Sequence, residues 1–271
     1  MFLDQVKNID LPNFVKISQR FDENHVEDID RAVKDTLQNS SLPRKIQRGN
    51  QVAIGVGSRG VANIFEITRA TVETVKELGG KPFIVPAMGS HGNAVAEGQI
   101  EILANFGITP EKVGAPIRAS MDVVCLGNMT DGTPVYFDRH AYEADAIIPI
   151  NRVKVHTDFT GELGSGIQKL MVIGLGKHKG ASTIHRRGIG CLKKSLIEVG
   201  LAVVENAYHQ PAIIQALEPE TMEKEEKRLL ACSKELMAKL PVEQVDVLLV
   251  NEIGKEISGS GMDTNVIGRL M

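Results

Sequence analysis

Two consecutive stretches constrain the fold of this chain more than any other feature, because each runs from an apolar strand through a glycine loop into a helix. In the first, Val52-Ala53-Ile54-Gly55-Val56 leads into Gly57-Ser58-Arg59-Gly60, and Asn63 with Glu66 three residues later opens a helix that stops at Gly79-Gly80. In the second, Pro82 to Ala87 leads into Gly89-Ser90-His91-Gly92-Asn93 and a helix from about Ala94 to Phe106. Strand, helix and strand in that order require right-handed crossovers, hence an α/β, Rossmann-like, mostly parallel sheet with flanking helices. Ligands of such sheets bind outside the carboxyl ends of the strands. Arg59 and His91 are therefore expected at one crevice.

The flanking sequence fills in the rest. Phe14 to Ser18 alternates like an edge strand, Asn24 with Glu27 resembles a capping box opening a helix through Leu37, and Asn39 to Asn50 has the polar, Pro- and Gly-containing composition of a linker. Residues 1–50 are accordingly expected as a strand, helix and linker ahead of an α/β domain over 51–271. Within that domain Val123 to Leu126 and Pro134 to Phe137 flank Asp131-Gly132, a hairpin signal. A buried strand is expected over Ala144 to Ile150, helices over Lys193 to Ala207 and Glu220 to Leu240, and a last strand over Val245 to Val250. The chain closes on Asn265 to Met271 without a polar tail or cap, as expected of a chain that lacks a further C-terminal domain.

Composition narrows the partners. A formal net charge of -3 supplies no domain-wide basic field for nucleic acid. The three cysteines, Cys125, Cys191 and Cys232, form no CxxC pair, which suits a reducing compartment. No apolar run reaches the roughly 18 residues of a membrane span, and the N-terminus lacks a basic-then-apolar leader. A cytoplasmic protein with a small-molecule ligand is expected, and a homo-oligomer remains open.

The chemistry concentrates between Asn151 and Arg187. His156 lies in a polar loop; a Gly-rich turn follows; Lys169 stands in the apolar run Ile167 to Ile173; and a basic loop of Lys177, His178 and Lys179 precedes His185. A lysine in apolar surroundings has a lowered pKa and is a sensible covalent tether, though one at a helix rim would simply snorkel. His156 and His185 match no zinc spacing; each is a metal ligand, an acid–base group or a structural histidine. Arg59, between two glycines ahead of a helix, suits a carboxylate or is a surface turn residue. His91 is a general base, a ligand or a backbone-bonded loop histidine. Arg152, Asp158 and Glu162 are candidate supporting partners.

Taken together, the Ser58-Arg59 loop, the Gly89-Ser90-His91 loop, His156 with glycine-rich sequence before Lys169, and the step of 16 residues from Lys169 to His185 (185 − 169) resemble the nickel-pincer lactate racemases and their homologues. The resemblance runs from about Gln51 onward. It implies the fold of the N-terminal domain of lactate racemase-like proteins and a cleft site that the family's C-terminal domain closes. It implies a pyridinium mononucleotide whose thioamide and thiocarboxylate sulfurs hold nickel. By the same resemblance Lys169 carries that cofactor as a thioamide, His185 ligates nickel, and Ser58 and Arg59 hold the cofactor or substrate anion. His91 and His156 are the acid–base pair on opposite faces of a 2-hydroxy acid, which is racemised or epimerised by hydride transfer through a 2-keto acid. A domain that keeps the fold and the anion cleft without catalysis is the alternative. A zinc or iron hydrolase built on His91, His156 and His185 ranks third, because no carboxylate–histidine spacing supports it.

Overall fold

The computed structural model describes residues 16–128, 132–155, 165–184 and 198–244, together with Val247 and Leu249. Helix α1 (Ile29–Gln38) opens later than the capping-box pattern suggests. Asp28, not Asn24, is its N-cap, accepting a 3.0 Å hydrogen bond from the Arg31 amide. Val33 and Leu37, one turn apart, are fully buried. A short helix α2 (Leu42–Lys45) stands in the stretch of linker-like composition, with Pro43 in its first turn and Leu42 in the core. Residues 16–18 of the expected N-terminal edge strand carry no strand; Phe14 and Val15 lie outside the described residues.

The two strand–loop–helix units form, although Asn63 stands in a left-handed conformation and makes no side-chain cap at the start of the first unit's helix. Strand β1 (Gln51–Val56), helix α3 (Ile64–Glu77), strand β2 (Lys81–Pro86), a 3-10 turn over Gly92–Ala94 and helix α4 (Ala96–Asn105) follow in order. Helix α3 stops ahead of Gly79, whose φ of 87° only glycine adopts readily. A short helix α5 (Pro110–Val113) precedes the antiparallel hairpin of β3 (Val123–Asn128) and β4 (Pro134–Asp138). Then come α6 (Arg139–Tyr142), β5 (Ala146–Arg152) and α7 (Ile167–Lys169), which runs into a π-helical turn over Leu170–Gly174. The stretch 177–179, expected as a basic loop, is instead the first turn of helix α8 (Lys177–Ile184), and Lys177 is fully buried.

One expectation is overturned outright. The helix expected over Lys193 to Ala207 is contradicted by strand β6 (Gly200–Glu205), paired with β7 (Pro211–Leu217). Leu201, Ala202, Val203 and Val204 are all fully buried, so this run is enclosed on both faces and shows neither alternation nor a helical stripe. Valine at χ1 favours the pleated surface there. Helix α9 (Met222–Leu236) follows, shorter than Glu220 to Leu240. The expected last strand lies outside the described residues except for Val247 and Leu249, which belong to no strand.

The main sheet has the order β2-β1-β5-β6-β7, parallel throughout except for β7. Because β1 is flanked by β2 on one side and β5 on the other, the winding direction reverses there. Val56 is level with Pro86 on one neighbour and Ile150 on the other, so β1 and β2 finish together and β5 runs on to Arg152 beside them. That is the switch point where open α/β sheets accept ligands. Alternate residues feed two apolar layers. Val52, Ile54 and Val56 pack with α1, α3 and α4 on one face, and Ala53, Phe83 and Val85 face the hairpin, α7 and α9 on the other. Helix α1 joins the first layer and also closes on the sheet edge, where the Ala216 amide donates to Thr36 Oγ1 at 2.8 Å. No helix among the described residues is long and apolar enough to cross a membrane.

Candidate functional site

Three segments meet at the carboxyl ends of β1, β2 and β5. The loop after β1 brings Ser58 to within hydrogen-bond distance of the loop after β2, where Ser58 Oγ and His91 Nδ1 are 2.5 Å apart. This bond joins residues 33 apart in sequence and restrains the orientation of the imidazole. The His91 loop is itself closed by the His91 amide donating to Met88 O at 3.0 Å. Ser58 is half-buried, while Arg59 and His91 are exposed at the mouth.

The third segment carries Lys169. It packs against both loops through glycines whose missing Cβ permits the approach. A Cβ on Gly57 would lie 3.2 Å from Leu170 Cδ1, and one on Gly174 only 2.5 Å from Ala87 O. The Gly89 amide, in a φ 58° conformation, donates to Gly174 O at 3.0 Å. Lys169 is half-buried at the junction of α7 and the π-helical turn, an irregularity frequent at functional sites. Two side chains hold its segment. Asn151, at the end of β5, donates to Gly166 O at 2.7 Å. Glu226, from α9, accepts from the amides of Ile167 and Gln168. Burial raises the Glu226 carboxyl above its usual range, against the pull of those amides.

Arg59 does not sit alone at the start of α3. The Ala62 amide there donates to Glu205 Oε1 at 2.8 Å, so the anion nearest that helix end is the protein's own carboxylate. Glu205 Oε2 lies 2.6 Å from Arg152 Nη1 and 3.4 Å from His209 Nδ1. Burial pushes this carboxyl up, but the hydrogen bond from His209 and the charge and hydrogen bond of Arg152 win and hold it at about 2, below its ordinary 4.5. A depressed folded-state pKa stabilises above the ordinary value and is lost as pH falls through the depressed one. Glu205 therefore contributes roughly 3 kcal/mol at neutral pH, fading between about pH 4.5 and 2. Glu205→Gln should remove that acid limb from a plot of melting temperature against pH; an unchanged limb would show that Glu205 does not set it.

His156 and His185 both lie outside the described residues. Lys154 and Ser165, which bracket the stretch of sequence holding His156, pair through 2.9 and 2.8 Å backbone bonds. Among the described residues no three His, Cys, Asp or Glu side chains cluster as a metal site would need. The geometry thus joins Ser58, Arg59, His91 and the Lys169 segment. Three buried groups around it escape a reading of the sequence: Lys177, Glu205 and Glu226. For Glu205 and Glu226 the only available signal is a carboxylate inside an otherwise apolar stretch, and charged helices such as α9 make that signal common.

The lactate racemase N-terminal domain family matches residues 7–195. No curated protein matches in sequence. Among solved structures, the lactate racemase apoprotein from Thermoanaerobacterium thermosaccharolyticum matches with a TM-score of 0.55 at 16% identity, over 80% of this chain and 57% of that one. That likeness concerns the fold, and the chain spans a little over half the length of that protein. The family match runs through Ser58, Arg59, His91, Lys169 and His185, and on it the chain belongs to the lactate racemase N-terminal domain family.

Proposed function

We propose that this chain is the cofactor-carrying part of a racemase or epimerase of a small anionic 2-hydroxy acid, working with a nickel-pincer nucleotide. The observation that carries this reading is the Ser58–His91 pair set directly against the segment that presents Lys169. The residues suit such a group. A half-buried lysine amine at the switch point is placed for covalent attachment, and exposed Arg59 at the cleft mouth suits a carboxylate or phosphate. Lys169 would tether the cofactor, and His185 would supply the protein's ligand to nickel. When bound, the group supplies the acceptor and donor of the α-hydride.

The chain's own residues do the rest. Arg59 grips the substrate carboxylate with two parallel hydrogen bonds, which fixes the α-carbon relative to both loops. His91, held by Ser58, takes the hydroxyl proton as the carbonyl forms and returns it when the hydride comes back. His156 would do the same on the opposite face, and two bases on opposite sides are what inversion requires. The test is to supply one enantiomer of a 2-hydroxy acid to protein co-expressed with the cofactor-synthesis machinery and to follow the other enantiomer by chiral chromatography. Interconversion is expected. No interconversion by protein that carries the cofactor would contradict the reading, as would interconversion with zinc as the sole metal.

A further inference from the structure

Behind the His91 loop lies a lysine with no contact with solvent. Lys177 is 0% exposed, as is its ion-pair partner Asp138, with Nζ 3.1 Å from Asp138 Oδ2. Its ammonium also donates to Pro86 O at 2.6 Å and to Gln99 Oε1 at 3.2 Å. Two of its N–H groups thus meet hydrogen-bond acceptors, and the Asp138 carboxylate supplies the opposing charge. The residue sits at φ 55°, a left-handed backbone that a lysine adopts only when its surroundings impose it. Burial lowers its pKa, and Asp138 opposes that shift.

The acceptors show what the charge does. Pro86 is the last residue of β2, where the His91 loop begins. Gln99 is a buried residue of α4 whose Nε2 donates to Gly89 O at 3.1 Å and His91 O at 3.2 Å, inside and at the end of that loop. An ammonium can only donate, so Gln99 must turn its oxygen toward Lys177 and its NH2 toward the loop. We infer that Lys177 is a positioning residue for the His91 loop: braced on Asp138, it holds Pro86 O directly and, by orienting the Gln99 amide, fixes the carbonyls of Gly89 and His91. This assignment rests on the proposed function for its purpose, but not for its geometry. An apolar pair of similar volume in place of both Lys177 and Asp138 would pack as well, since buried ion pairs rarely outdo apolar replacements in stability. It could not decide which end of the Gln99 amide faces the loop.

The test uses the full chain, with Lys177→Met, Gln99→Glu and Gln99→Met, and with Val33→Ala as a destabilised comparison in helix α1. Amide exchange of Gly89 and His91 is read alongside the 15N shift of His91 Nδ1, which reports its bond to Ser58. Lys177→Met should speed exchange of those two amides about 10- to 100-fold relative to the chain as a whole, and should move the Nδ1 resonance. Gln99→Glu keeps shape and the Lys177 contact but has no donor for the loop carbonyls, so it should do the same. Val33→Ala, matched for loss of melting temperature, should leave the Nδ1 resonance in place. Should Lys177→Met fail to fold, the two Gln99 variants decide. Folded variants whose loop amides exchange in step with the rest, and whose Nδ1 resonance stays put, would overturn the inference. Both readouts are taken without cofactor. Absence of racemase activity in the loaded wild-type protein therefore bears on the proposed function and leaves this inference standing.

Discussion

In cofactor-loaded protein, His91→Asn should slow interconversion of the enantiomers about 10²- to 10⁴-fold in kcat, with KM changed little. Asparagine approximates the width of imidazole and can still meet Ser58 Oγ, which lies 2.5 Å from Nδ1 in the native pair. What it loses is a ring nitrogen able to take up and return a proton, and only proton transfer in the transition state depends on that. Binding of the 2-hydroxy acid depends on Arg59, so KM should move with Arg59→Gln rather than with His91→Asn. Ser58→Ala should cost less, about tenfold, because it frees the ring's orientation without removing the base. The measurement is a full kinetic profile of each variant in both stereochemical directions. If His91→Asn raised KM and left kcat unchanged, His91 would be a binding residue and not the base.

The second large effect is expected at a glycine. Gly98, in the first turn of α4, lies against the backbone of Gly92, the residue after His91. A Cβ there would fall on Gly92 O and within 2.7 Å of Gly92 C. Both obstacles are backbone, so relief requires the helix and the loop to part. Gly98→Ala should cost about 2–3 kcal/mol of stability. It should also lower kcat of whatever protein remains folded, because the displaced loop carries His91. Gly60→Ala offers the contrast, since a Cβ at Gly60 meets nothing within 4 Å and should leave the melting temperature nearly unchanged. Denaturant unfolding of both variants checks this. Equal stability of Gly98→Ala and the parent would mean that the loop gives way freely.

Much of this was legible in the sequence, and for a definite reason. The two strand–loop–helix units impose a parallel sheet. A parallel sheet places the loops after its strands on one side, so the loops of Arg59 and His91 could be expected together before the 2.5 Å contact of Ser58 with His91 was seen. Lys169 stood out as a lysine in an apolar run, and its segment does pack on both loops. Three things resisted. Strand β6 is enclosed on both faces, so Gly200 to Glu205 shows no period by which to tell strand from helix. Lys177 stands beside His178 and Lys179 and looks like a solvated basic loop. Only the packing of α8 on β4 turns it inward to Asp138, 39 residues away in sequence (177 − 138). The hold of Glu226 on Ile167 spans 59 residues and leaves no local pattern at all. Charged groups buried by long-range partners are invisible to periodicity, because their partners and not their neighbours make them tolerable.

The central claim, that this chain carries a covalently attached nickel cofactor at Lys169, is tested most directly by intact-mass and nickel analysis of protein co-expressed with the cofactor-synthesis machinery. The account predicts a mass increase that peptide mapping assigns to Lys169, nickel approaching one equivalent, and loss of both in Lys169→Ala. An unmodified mass with no nickel, in protein that is folded and produced alongside an active cofactor supply, would contradict it and leave a domain that binds anions without this chemistry.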